Sequence, residues 1–110
     1  MNIPPLEIAL ADLESTGKAL ADAIRQQLVD QFECDDVLEG GINSMIGSPN
    51  MRTGKNHSYT SAESEAKLGE PWREARRAVV NAEAFIEECR AKFLRAQIIA
   101  RLAAEPAVAS

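Results

Sequence analysis

The chain has 110 residues, a hydrophobic fraction of 45% with only 5% aromatic, and a formal net charge of −5. One small domain is all that this length supports, burying roughly two-thirds of its unfolded surface, a thin margin unless further copies add area. The charge balance speaks against duplex nucleic acid, which requires a broad basic face, and no apolar run approaches the ~18 residues of a membrane span.

The opening residues Met1-Asn2-Ile3-Pro4-Pro5 carry neither a basic nor an apolar leader pattern, so no signal peptide is expected. Alanine and leucine dominate the apolar set, and β-branched runs with period-two alternation are missing, so the expected fold is all-α. Pro4 and Pro5 suit a first helical turn. From there Leu6, Leu10, Leu13, Gly17, Leu20 and Ile24 recur in steps of four and three, continuing one residue out of phase through Leu28 and Phe32. That heptad seam predicts a helix over about 5–38, ended by Gly40-Gly41. Gly17 lies on the seam, either admitting another backbone or standing as a tolerated defect of ~1 kcal/mol.

A connector of about 39–60 follows, too long for an idle turn. Within it Ile42, Met45 and Ile46 are expected to form one helical turn packing back onto the helices. Thr60-Ser61-Ala62-Glu63 has the form of a capping box, which predicts a short helix over about 61–68 with Thr60 as its cap. A break at Pro71 then leads into a long helix over about 71–104, the clearest signal in the chain. Its seam runs Leu68, Trp72, Ala75, Val79, Ala82, Ile86, Cys89, Phe93, Ala96, Ala100 and Ala103, widened by Val80, Phe85, Leu94, Ile98, Ile99 and Leu102. So wide a stripe exceeds what one partner helix covers. The expected architecture is a coiled-coil-like hairpin of two long antiparallel helices with an ordered connector carrying one or two short helices. In that register Leu10 lies near Ala100, Ala21 near Cys89 and Cys34 near Arg76. Cys34 and Cys89 then stand far apart along the axis, and no disulfide is expected between them.

Charge divides unevenly along the chain. Residues 1–49 sum to −7, residues 50–60 to +2, and residues 61–110 to zero. The cationic middle holds Arg52, Thr53, Lys55, His57, Ser58, Tyr59 and Thr60, including the chain's one histidine and one tyrosine, and it runs into a helix N-terminus. Free N–H groups, the positive dipole end and two cations make an anion site, and Tyr59 and His57 offer rings for stacking. The alternative is a solvated loop in which Ser58, Thr60 and Ser61 serve as caps.

Arg73, Arg76 and Arg77 are expected to face Asp30, Glu33, Asp35, Asp36 and Glu39 as interhelical ion pairs, or else to turn Arg76 and Arg77 toward the connector as a phosphate clamp. Gly54-Lys55 does not make a P-loop, because the glycine spacing is wrong and Asn56 stands where Ser or Thr would hold magnesium. One histidine and two dispersed cysteines make no metal site, and His57 with Ser58 and Ser61 lacks an orienting carboxylate. No cofactor and no enzyme activity are expected.

The run Asn50-Met-Arg-Thr-Gly-Lys-Asn-His-Ser-Tyr-Thr-Ser-Ala-Glu63 between two helices resembles small, mostly uncharacterised helical proteins of tailed bacteriophages. The resemblance implies a viral protein acting in the cytoplasm of an infected bacterium. By architecture it is similar to anti-defence sponges, oligomers that sequester nucleotide-derived immune signals. The expectation is therefore a homo-oligomer binding an anionic, nucleotide-like small molecule, or alternatively a module for a host or virion protein.

Overall fold

The structure, a computed structural model, describes residues 2–50 and 54–105. It is all-helical, with α1 (Leu6–Met45), α2 (Tyr59–Leu68) and α3 (Glu70–Ala104) in chain order. α1 and α3 pack against each other, as the heptads predict. The chain forms two compact units, to both of which α1 and α3 contribute. Unit 1 combines residues up to Gln26 with those from Glu83 onward, and unit 2 spans Gln27–Ala82.

In unit 1 the two helices meet through small residues. Ala23, Ile86 and Cys89 form a buried cluster with Leu20 packed against it. Gly17 faces the ring of Phe93, whose Cε2 lies 3.1 Å from where a Cβ would sit. Pairing Gly17 with Phe93 places Ala21 level with Cys89, the register read from the heptads. What approaches the glycine, however, is an aromatic ring and not a backbone. A side chain there would displace that ring.

Unit 2 departs from expectation at Gly40-Gly41, which α1 passes through before ending at Met45. The reason is tertiary. A Cβ on Gly41 would stand 3.0 Å from the Cβ of Ala66, so the bare backbone lets α2 approach closely. Ile42, Ala62 and Ala66 then form a buried cluster, with Leu38 and Met45 against it. Burying Ile42 stabilises by about 1.5–3 kcal/mol, which offsets a helical-glycine cost of about 1 kcal/mol per residue. Ile42 and Met45 thus close α1 and do not form a turn of their own.

The two glycines are expected to respond oppositely. Nothing lies within 4 Å of a Cβ built on Gly40, so Gly40→Ala should raise stability by about 0.5–1 kcal/mol. Gly41→Ala should lose that gain by pushing α2 outward. Paired thermal melts check this, and equal shifts would refute the close approach.

α2 starts earlier than predicted. Ser58, with extended backbone (φ −79°, ψ 171°), is the N-cap, and its side chain accepts the Ser61 N–H at 3.2 Å. Thr60 is already helical and so cannot take the half-in position that a cap requires. Gly69, also extended (φ −74°, ψ 146°), separates α2 from α3, and Pro71 falls in the first turn of α3, where its missing N–H is harmless. Cys34 in unit 2 and Cys89 in unit 1 are both buried and free. No helix of the described residues is long and apolar enough to cross a membrane.

Candidate functional site

The cationic connector belongs to unit 2, and with α1 extended it is shorter than expected. It closes on itself by backbone pairing. Isolated bridges join Ile46 to His57 and Pro49 to Asn56. Gly47 N–H donates to His57 C=O at 3.1 Å, and His57 N–H donates to Ser48 C=O at 2.8 Å. Further out, Asn50 N–H donates to Lys55 C=O at 2.7 Å and Gly54 N–H to Asn50 C=O at 2.8 Å. Gly47 (φ 80°) and Gly54 (φ 72°) take the left-handed backbone that these tight turns require.

This pairing holds His57 beside the first turn of α2. His57 Nδ1 lies 2.8 Å from Ser61 Oγ, and Asn50 Nδ2 donates to the same oxygen at 3.4 Å. The Ser61 hydroxyl can accept from both groups or donate to Nδ1, so the direction of its contact with His57 follows the ring's tautomer. The sequence sets Ser61 beside His57, but it does not mark Asn50 as a site residue. No spacing signal could have found Asn50, which stands eleven residues before Ser61 and reaches it only through the connector's backbone pairing.

The remaining connector candidates are dispersed. Ser58 is committed to capping, the Thr60 carbonyl accepts from Ser64 Oγ at 3.1 Å, and Lys55 is exposed. Arg52 and Thr53 lie outside the described residues. Tyr59 is exposed and lines a groove of about 280 Å³ with Asp35, Leu38, Glu39, Ile42 and Asn43.

Arg73 and Arg77 of α3, expected to face the acids of α1, pair within their own helix. Arg77 Nη2 reaches Glu70 Oε1 at 3.0 Å, and Arg73 Nη1 reaches Glu70 Oε2 at 3.9 Å. Glu70 lies three and seven residues away on the same helix, so all three side chains share one surface and meet without crossing to α1. Both pairs are more than half exposed and add little stability. Arg73, Arg76 and Arg77 line a groove of about 290 Å³ with Trp72, Val80 and Asn81. No carboxylate lines it, and neither do the described connector candidates. Lys67 Nζ stands 5.9 Å from the centroid of the Trp72 ring, while pairing with Glu63 at 2.9 Å. Trp72 read in the sequence as a seam residue, and its place among three arginines was the overlooked signal.

Among the described residues no group of three His, Cys, Asp or Glu side chains comes together to hold a metal. No family model, curated protein or solved structure matches the chain.

Proposed function

We propose that the chain is a non-enzymatic, self-associating binding protein that sequesters a phosphate-bearing small molecule. The observation that carries this reading is the placement of the apolar residues. Six of the eleven buried apolar residues among those described are alanine, whereas Leu10, Leu28, Phe32, Phe85, Leu94 and Ile98 are all at least half exposed. Monomeric proteins rarely leave large contiguous apolar patches in water, so further chains are expected to cover these residues. The ligand half rests on the cationic connector and on the Trp72 groove, where an indole face suits a flat ring and guanidinium forks suit phosphate oxygens. A setting inside an infected bacterium, with a nucleotide-derived immune signal as the ligand, rests on the likeness of residues 50–63 to tailed-phage proteins.

Thermal melts with a panel of nucleotides test the ligand half. A true ligand at a hundred times its Kd adds ~2.7 kcal/mol of stability. Lys55→Ala should abolish that gain for a ligand held by the connector, and Arg76→Ala for one held by the Trp72 groove, each with helicity and oligomer size unchanged. Melts indifferent to every nucleotide would turn the reading toward its alternative, a module for a host or virion protein. The groove around Tyr59 favours that second reading, since Asp35 and Glu39 there suit a basic partner.

A further inference from the structure

We propose that two copies of the chain pair through α3 alone, with the two helices crossing antiparallel at Ala91. This inference rests on the self-association reading and names its interface. In unit 1, α3 buries Ile86, Cys89, Ala96 and Ala100. The other side of the same helix is exposed, and it is patterned. Around Ala91, exposed residues fall at offsets of minus and plus four (Glu87, Arg95) and minus and plus seven (Ala84, Ile98). At 3.6 residues per turn these offsets return to one face, within about 40° of Ala91.

The surface there is grooved in the manner of a helix-packing site. Ala91, Arg95 and Ile99 form one row of four-residue spacing, and Leu94, Ile98 and Leu102 form a second. Together they line a groove of about 600 Å³. Two such rows on one helix receive the ridge of another helix. Where the Trp72 groove carries three arginines, this one is lined by four large aliphatic side chains and a single cation, which suits the apolar face of a helix and not a phosphate. The occupant is therefore helical.

The pattern further specifies which helix. In a two-fold, antiparallel crossing at Ala91, each residue meets the one at the opposite offset in the second copy. Glu87 then meets the second copy's Arg95, and Arg95 meets its Glu87, so two opposite-charge pairs form. Ala84 meets the second copy's Ile98 twice over, small against large. Ala91 meets itself, and its single methyl allows the axes to approach toward the lower end of the usual 8–10 Å. The Glu87–Arg95 and Ala84–Ile98 contacts are self-complementary, as an isologous contact demands, while Leu94, about 60° from Ala91, falls opposite Glu88 at the edge of the face. A parallel pairing would set Glu87 against Glu87 and Arg95 against Arg95, and so is disfavoured. Glu87 presently contacts Arg90 on its own helix through an exposed ion pair, which is cheaply exchanged.

Sedimentation velocity across a concentration series, with circular dichroism of each sample, tests the crossing. The unaltered chain should dimerise. Glu87→Arg and Arg95→Glu should each raise the dimer Kd about tenfold or more, since each replaces both attractive pairs with repulsive ones. An equimolar mixture of the two variants should recover dimers at the original affinity, because only the mixed pair restores both contacts. The double variant carrying both changes should also recover. A monomeric unaltered chain would overturn the self-association reading and this interface with it. A dimer indifferent to the single changes, or a mixture that fails to recover, would overturn the Ala91 crossing and leave self-association standing. Recovery on mixing also excludes misfolding as the cause of the single-variant losses.

Discussion

Ile42→Ala is expected to destabilise the chain by about 2–5 kcal/mol, the range for removing a large buried aliphatic side chain. Ile42 is 3% exposed and packs on Ala62 and Ala66, the buried residues of α2. Alanine on both sides cannot grow to fill the space, so most of the lost volume should persist as a cavity. Domains of this size have a total stability of roughly 5–15 kcal/mol, so the change removes a large fraction of it. The loss should be concentrated in α2. Amides of Tyr59–Leu68 should exchange faster in hydrogen-exchange measurements, and urea unfolding should report the global cost. The connector follows, because the His57–Ser61 contact and the Ser58 cap both depend on α2 staying docked. A loss below 1 kcal/mol would mean that α2 is held by something other than this cluster.

The same cluster explains where sequence reading succeeded and where it stopped. The stripe of α3 was legible because thirty-odd residues repeat one period, and each turn reinforces the last. The antiparallel register followed from it, since Gly17 opposite Phe93 agrees with the pairing read from the heptads. The end of α1 was not legible. Gly40-Gly41 is a stop signal in isolation, and only the arrival of Ala66, some 25 residues later, turns Gly41 into a packing residue. Local propensity is a weak prior of this kind wherever a distant contact overrides it.

The candidate site was less legible than the fold, for a related reason. Residue types named the chemistry of the connector, but hydrogen bonding decides which of those groups come together. Ser58, Thr60 and Ser61 are interchangeable on paper, yet extended backbone at Ser58 alone makes it the cap and leaves Ser61 for His57. The arginines of α3 were read against the acids of α1 because opposite charges at matching levels attract. Glu70, on their own helix, lies closer, and at the surface the shorter reach wins. Trp72 was overlooked because aromatic residues at seam positions are usually core.

Ile98→Asp is expected to act on association and spare the fold, the reverse of Ile42→Ala. Ile98 is 61% exposed, so the isolated chain gives up little packing, and the difference in helix propensity is a few tenths of a kcal/mol. In the proposed dimer each Ile98 covers Ala84 of the second copy, and two-fold symmetry counts every change twice. Each substitution forfeits at most about 1–2 kcal/mol of apolar burial, because Ile98 is already partly covered in the single chain, and sets a carboxylate against a methyl group that cannot hydrogen-bond to it. Two such losses correspond to a rise in Kd of about a hundredfold, at 1.4 kcal/mol per factor of ten. Sedimentation should then find a monomer whose helicity matches the unaltered chain and whose melting temperature no longer depends on concentration. Because Ile42→Ala probes the fold and Ile98→Asp probes the proposed dimer, the pair of variants separates folding from assembly. An Ile98→Asp chain that dimerises as before would place the interface on another face.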